Sequence, residues 1–420
     1  MIKAITGTKD ILPSDISKWK HLEKIVEKTM KVCNYKELRT PVFEETALLS
    51  RGIGESTDIV SKEMYSFVDR SGTSVTLKPE MTASTVRAFM EHSLGKQQGL
   101  NKLYYVSPMF RQERPQAGRY RQFHQFGAEA LGSHDPSLDA EMIILAYQII
   151  SELGLKSLDV KINSLGVPAS REKYKEILRE YLKPHFNNLT EDSRKRFDTN
   201  ILRIFDSKAE NDQEIMKDAP LLINHLDEES LRHFESVKQI LDSANINYEV
   251  DSKLVRGLDY YTHTTFEILS GSVGAQSALC GGGRYDLLVE QCGGDPTPGV
   301  GFAAGMERLL LACENENSLN IEEDKVDLYI VRIDKELTKE AYELSINFRK
   351  ENVNVELDYL SRSVKAQMRE ANKLNARFVL FVGGEEYAQK NLVLKNMETS
   401  EQSVFEISDL ISIKGKIINQ

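Results

Sequence analysis

Cysteine is scarce in this chain, four residues in 420, and Cys33, Cys280, Cys292 and Cys313 form no CxxC pair and have no histidine at ligand spacing. That argues against a disulfide framework or a zinc site and leaves small buried thiols. Long hydrophobic runs are missing too. With no stretch of ~18 apolar residues and no charged-then-apolar leader, neither a membrane span nor a signal peptide is expected, and the cytoplasm is the expected compartment. Internal repeats and low-complexity segments are also absent. Positive charge is in deficit: a net charge of -10 argues against a protein that coats nucleic acid non-specifically, while leaving room for a local basic surface. From Lys325 onward 15 Lys plus Arg face 15 Asp plus Glu, so the other 324 residues hold 39 against 49 and carry the whole deficit. The tail is electrostatically a separate body.

What is present describes an ordinary globular protein, 40% hydrophobic and 28% charged, long enough for two or three domains. Apolar spacing predicts a helix over Ser17 to Val32, then an extended segment through Leu38, Pro41 and Phe43, where the proline suits an edge or interface strand. MYSFVDRSGTSVTL reads as a hairpin turned at Ser71-Gly72 that delivers KPEMTAS to the start of a helix. Asp139 to Leu153 reads as an amphipathic helix stopped by Gly154. Residues 168–245 are helical and highly charged with no convincing strand, and are expected to interrupt one core made of 1–167 and 246–320. Strand patterns resume at Tyr248 to Leu254 and Thr264 to Leu269, followed by two glycine-rich loops, CGGGRYD and CGGDPTPGVG, and a helix from Phe302 to Cys313. The polar stretch ENENSLNIEEDK marks a linker, placed at 321–326, and 327–420 alternates strand and helix as a small α/β domain.

The segment Phe110 to Glu129, FRQERPQAGRYRQFHQFGAE, carries the densest chemistry. Tyr104, Val106 and Pro108 lead into Phe110 at period two, Pro115 and Gly118 break the pattern, and a second strand follows. On that return strand Arg121, Phe123, Gln125, Gly127 and Glu129 share one face, with Gln122, His124, Phe126 and Ala128 on the other. A solvated sheet surface would explain the polar residues alone. The loop favours a ligand: guanidinium is always charged and matches phosphate oxygens bidentately, so Arg111, Arg114, Arg119 and Arg121 around one hairpin suit a triphosphate or a nucleic-acid end.

Further along, GVGFAAGMERLLL places Gly301, Gly305, Arg308 and Ala312 at helical spacing, which reads either as tight helix packing or, beside the first arginine cluster, as a second phosphate-facing element. In LVRGLDYYT an arginine held by a glycine turn can be aimed at a carboxylate, and a tyrosine hydroxyl can bond a ring nitrogen. CGGGRYD has neither Walker nor GxGxxG spacing and reads as backbone that must approach a ligand or another strand closely.

Taken together these segments resemble the class II aminoacyl-tRNA synthetases, and within them the histidyl-tRNA synthetase family, over essentially the whole chain. RTPVFEETALLSRGIGESTD, FRQERPQAGRYRQFHQFGAE and GVGFAAGMERLLL resemble the three class signatures, and LVRGLDYYT and ALCGGGRYD the two histidine-specific ones. The resemblance implies an α/β (α+β) fold: an antiparallel sheet flanked by helices, a helical insertion and a C-terminal α/β anticodon-binding domain. It also implies an obligate homodimer with an interface element around Pro41, and as substrates L-histidine, ATP with Mg²⁺, and histidine tRNA; no motif offers a protein metal site. Carried over by residue, Glu80, Thr82 and Gln125 would hold the α-amino group, while Glu129 and Tyr261, with Tyr260 beside it, would read the imidazole. Arg111 would bind the α-phosphate, Arg308 the γ-phosphate, and Arg119 and Glu113 would assist at the ATP tail. Arg256 would be the catalytic arginine between the amino-acid carboxylate and the α-phosphate, and Arg114 and Gln116 would meet the tRNA acceptor end. Two positions depart from the family pattern: Met81 stands where many relatives have glycine, and Ala117 replaces a frequent basic residue. A competing reading is the synthetase-like, histidine-sensing regulatory subunit of ATP phosphoribosyltransferase; Arg111, Arg256, Arg308 and the tail beyond Lys325 oppose it. A class II synthetase for another amino acid is opposed by the two histidine signatures.

Overall fold

Side chains set where this chain can pair closely, and glycine occupies the closest approaches. The computed structural model describes residues 2–54, 57, 59–254, 260–274, 278–319, 321 and 325–418. Contacts divide them into two compact units, Met1–Ile321 and Glu322–Gln420.

In the first unit, strand β1 (Lys36–Glu37) precedes a small antiparallel sheet of β2 (Phe43–Glu45), β3 (Tyr65–Val68) and β4 (Ser74–Leu77). There follow β5 (Asn101–Phe110), β6 (Gln122–Leu131), β7 (Leu158–Ser164), β8 (Tyr248–Val250), β9 (Thr262–Ser270), β10 (Ala278–Arg284) and β11 (Gly299–Gly305). These seven and β1 form one eight-stranded sheet in the order β1-β5-β6-β11-β10-β9-β7-β8. Only the outer pairs β1/β5 and β7/β8 are parallel. The helices Pro13–Val32, Pro136–Glu152, Glu228–Ser243 and Met306–Glu316 pack on one face, burying Phe126, Ile162, Phe266, Ile268 and Phe302. Each such side chain contributes about 1.5–3 kcal/mol relative to exposure. The opposite face keeps the polar groups.

Three expectations change here. The first glycine-rich segment is largely strand, with Cys280 to Arg284 in β10, while the second stays a loop until β11 begins at Gly299, and the helix begins only at Met306. A Cβ on Gly282 would strike the Gly301 carbonyl and the Phe302 side chain, so glycine marks strand-to-strand contact here and not a loop or a helical stripe. The helix Pro136–Glu152 is buried nearly all round, from Leu138 and Asp139 through Met142, Ile143, Leu145 and Ala146 to Ile150, because it lies between the sheet and other helices. The helix Met306–Glu316 also runs three residues into the polar stretch taken as linker. At the N-terminus, Pro13 at the first helical position starts the first helix four residues earlier than Ser17. The 65–77 hairpin forms as expected, with Gly72 at φ 88°. Between residues 168 and 245 the chain is helices and helical turns with no strand.

The second unit has β12 (Leu328–Arg332), β13 (Val355–Leu357), β14 (Phe378–Val382), β15 (Asn391–Asn396) and β16 (Gln402–Glu406) in the order β13-β12-β14-β15-β16. The pairs of β12 with β13 and β14 are parallel, so both faces need covering. Leu328, Ile330 and Leu380 meet helices Thr338–Lys350 and Leu410–Ile418 on one side, and Tyr329, Val331 and Val379 meet Val364–Lys373 on the other.

Candidate active site

The site grows from the β5/β6 hairpin, whose strands pair from Asn101↔Leu131 to Phe110↔Gln122. Its tip is closed by the backbone pair Gln116–Arg119, with Gly118 at φ 70°. Alternation along β6 buries Phe126, Ala128 and Ala130 against the helices and turns Gln125, Gly127 and Glu129 to the other face.

At the hairpin end lies a cleft of about 390 Å³, lined by Arg111, Arg119, Arg203, Arg308 and Gln125 among others. Arg111 is held by its Nε donating to the Pro79 carbonyl at 2.9 Å and by its guanidinium lying 5.2 Å from the Phe123 ring centroid. Arg119 Nη1 donates to Glu113 at 3.2 Å, and Arg308 Nη1 donates to the Ala278 carbonyl at 2.7 Å. Burial lowers the pKa of both Arg111 and Arg308, and in Arg308 the Arg119 charge adds to the effect. Crowded, partly desolvated guanidinium groups are what a polyanion relieves. The Gln125 Oε1 is buried and has no hydrogen-bond partner among the described residues, a polar group left for a ligand. Glu307 from the helix Met306–Glu316 accepts from the His124 backbone N–H and lies 2.9 Å from its Nδ1, fixing that helix to β6.

Two residues of the arginine cluster lie apart from the cleft. Arg121 donates from Nη1 to the Thr6 carbonyl at 3.3 Å and from its backbone to Gly7, so it anchors the N-terminal segment and does not face an anion. Arg114 and Gln116 are exposed at the tip.

Farther along β6 the surface closes into a pocket around Glu129, which is 1% exposed. Thr82 Oγ1 donates to its carboxylate at 2.8 Å, and the Tyr285 hydroxyl donates to its other oxygen. Burial raises the Glu129 pKa to about 8 against the pull of those two donors. Glu80 accepts from the backbone N–H groups of Thr82 at 2.7 Å and Ala83 at 2.9 Å, capping the helix Thr82–Glu91; burial raises its pKa too. Met81 sits between them at φ -105°, a conformation that requires no glycine, with its sulfur accepting from Lys78 Nζ at 3.4 Å. Tyr260 and Tyr261 are buried with ring centroids 4.7 Å apart, and Tyr260 packs edge-on against Tyr285 at 5.7 Å. Arg256 lies outside the described residues.

Glycine makes room for the buried carboxylate. Gly301 faces Glu129 across β11/β6, and a Cβ there would fall on the carboxylate, while one on Gly127 would meet the Tyr105 phenol. Gly301→Ala is therefore expected to lower any activity that depends on this pocket by about 10–100-fold, the equivalent of 1–3 kcal/mol of overpacking. Unchanged saturation kinetics in the variant would remove this crowding from the account.

Tyr285, Glu267, Glu307 and Arg203 are site residues that the motif reading did not single out. Tyr285 was within reach of the sequence, since it lies in the quoted CGGGRYD run beside Arg284. Arg203 had no local signal.

An antiparallel sheet that sets an arginine-lined cleft beside a closed carboxylate pocket has the makeup of a class II aminoacyl-tRNA synthetase. A family model described as Histidyl-tRNA synthetase matches residues 7–309, and one described as Anticodon binding domain matches 327–414. The histidine--tRNA ligase of Desulforamulus reducens is 47% identical over 96% of this chain and 97% of its own length. The crystal structure of apo S. aureus histidyl-tRNA synthetase superposes with a TM-score of 0.84 at 39% identity, covering 98% of this chain and 99% of that one. At 22% identity and a TM-score of 0.65, an ATP phosphoribosyltransferase regulatory subunit/histidyl-tRNA synthetase from Bacillus halodurans shares the fold over 92% of this chain and 99% of its own. With the first model covering well over half its length, this chain belongs to the histidyl-tRNA synthetase family.

Proposed function

We propose that the chain is a histidine--tRNA ligase: it activates L-histidine with ATP to histidyl-adenylate and pyrophosphate, then passes histidine to the 3′ end of histidine tRNA. One observation carries this reading. The enclosed carboxylate of Glu129, with hydroxyl donors at its side and tyrosines around it, lies on the same strand face as Gln125 at the edge of an arginine-lined cleft. An imidazole presents two ring nitrogens, so a carboxylate on one and a phenol, that of Tyr261, on the other select it, and a wrong side chain leaves buried polar groups unpaired at a penalty of several kcal/mol.

In the first step a histidine carboxylate oxygen attacks the α-phosphorus, the bond to the bridging oxygen breaks, and pyrophosphate leaves. Arg111 and Arg256 would neutralise charge at the α-phosphate, Arg308 and Arg119 along the tail, with Glu113 holding Arg119 in place. Glu80, Thr82 and Gln125 would orient the amino group. In the second step the terminal ribose hydroxyl of the tRNA attacks the activated carbonyl and AMP leaves. Positioning and charge neutralisation supply the catalysis. Among the described residues no cluster of three His, Cys, Asp or Glu is placed to hold a metal. The cleft carboxylates Glu63, Glu113 and Glu267 are oxygen ligands that fit Mg²⁺ carried mainly by the triphosphate.

The exposed tip residues Arg114 and Gln116 suit the tRNA acceptor end, and residues 327–420 the anticodon. A homodimer is supported by the exposed apolar residues Val42, Phe43, Phe67 and Val68 on and beside the small sheet, next to Pro41. No helix among the described residues is long and apolar enough to cross a membrane, in keeping with a cytoplasmic site of action.

The test is ATP–pyrophosphate exchange with each amino acid in turn. Histidine alone is expected to drive it, and exchange driven by another amino acid, or none with histidine, sinks the reading. Arg308→Ala is expected to lower kcat/KM for ATP by about 10²-fold, the scale for losing one preorganised charge-stabilising donor. A loss smaller than about threefold would remove Arg308 from the phosphate site.

A further inference from the structure

The helical segment 168–245 does more than cover the core. Its helical turn Ile201–Asp206 packs into the site: Ile201, Leu202 and Ile204 are 2%, 9% and 1% exposed and share one apolar cluster with Tyr260, Tyr261 and Tyr285. From the helix Pro168–Leu182, Arg171 Nη1 donates to the Tyr261 carbonyl at 2.5 Å. The segment is therefore fastened to Tyr261 by this hydrogen bond and shares one apolar cluster with the tyrosines.

Between buried Leu202 and Ile204 the turn presents Arg203, whose carbonyl accepts from Arg196 Nη1 at 3.0 Å and whose side chain lines the phosphate cleft with Arg111, Arg119 and Arg308. The described lining also carries four carboxylates, those of Glu63, Glu113, Glu267 and Glu307. Among the described residues, the lining without Arg203 would hold three arginines against four glutamates. Arg203 brings the described lining to four groups of each sign, before Arg256 and the ligand's own metal are counted.

We propose that Arg203 is a further ATP-binding residue, supplied by the helical insertion, so that affinity for the triphosphate depends on the insertion being docked on the tyrosine loop. This rests on the reading of the cleft as the ATP site. A guanidinium is suited to the task because it stays charged when partly buried and bonds phosphate oxygens in pairs. Its placement on a separately folded segment ties nucleotide affinity to the state of that segment. At the pocket around Glu129 the insertion's Arg171 is engaged by the Tyr261 carbonyl, while Arg203 lines the cleft.

The experiment uses the full chain and steady-state exchange kinetics, with KM for ATP, KM for histidine and kcat measured for the native protein, Arg203→Ala and Arg203→Lys. Expected for Arg203→Ala is a rise of about tenfold in KM for ATP, the scale of one lost charge-assisted pair, with KM for histidine within about twofold of native. Lysine at the same position restores part of the loss. Thermal denaturation shows whether each variant is folded, and Arg203→Gln, which keeps the volume, takes the place of alanine if alanine is not. A KM for ATP within twofold of native overturns the proposal, and so does a parallel rise in both KM values, which would mean that the turn only packs. Failure of the native chain to catalyse histidine-dependent exchange would instead sink the reading of the site itself.

Discussion

Glu129→Gln lowers kcat/KM for histidine in pyrophosphate exchange by about 10²-fold or more, while KM for ATP stays within about twofold. The glutamine keeps the volume and one acceptor but cannot hold both the Thr82 and Tyr285 hydroxyls and a ligand N–H as a carboxylate does. The arginines of the cleft, at the hairpin end of β6, are untouched. The same substitution has a signature in stability. Burial raises the Glu129 pKa to about 8 from an ordinary 4.5, so the carboxyl's contribution is fully present below about pH 4.5 and is lost as pH rises toward 8, where the enclosed group must give up its proton. Glutamine has no proton to lose. Denaturant midpoints of ligand-free native and variant proteins, compared from pH 5 to 8, should show the native protein losing ground steadily; a difference independent of pH would show that Glu129 ionises normally.

Asp139→Asn is expected to destabilise the first unit by about 3–5 kcal/mol, the scale for leaving one member of a buried ion pair without its partner. Arg284 and Asp139 are both 0% exposed at their side chains and are joined by two guanidinium donors, Nε at 3.0 Å and Nη2. His233 Nε2, 3.1 Å from the same carboxylate, brings in the helix Glu228–Ser243. Burial alone would raise the Asp139 pKa; the His233 hydrogen bond and the Arg284 charge overcome it and hold it below the usual carboxylate range. Replacing both partners, Asp139→Leu with Arg284→Met, should recover part of the loss, since the fully buried charges are then gone and only Asp286, 3.0 Å from the Arg284 Nη1, loses its partner. Urea unfolding of the three variants decides it. A double variant no better than the single one would mean that shape, and not charge, governs the site.

These two residues also show how far the sequence could be read. Glu129 was legible because strand alternation put it on one face with Gln125, and the motifs around it named the ligand class. Its companion Tyr285 was missed because CGGGRYD was read as loop; glycines suggest turns, and only the opposing chain shows that Gly282, Gly283 and Gly301 stand in strands to admit Phe302, Tyr261 and Glu129. For the same reason GVGFAAG was taken as helix when it is β11. Arg121 looked like its neighbours in composition, and only the path of the N-terminal segment shows that it holds Thr6 and Gly7. The Asp139–Arg284 pair spans 145 residues, a separation that local periodicity does not see. Arg203 lies outside every motif, in a turn whose position depends on how the insertion folds back.

The straightness of β6 has one more consequence. Residues on one face of an antiparallel strand recur about every 7 Å, so Gln125 and Glu129 stand about 14 Å apart by covalent geometry and not by choice of rotamer. On the proposed assignment of Gln125 to the amino group and Glu129 to the ring, the strand is a gauge for the ligand held between them. Seven consecutive pairs with β11, from Gly299↔Leu131 to Gly305↔Gln125, hold the gauge in register. Inserting one residue would turn Glu129 to the helical face, and inserting two would overshoot the ring by a full step. On that assignment, a change in the length of β6 shifts the site in whole steps and not gradually.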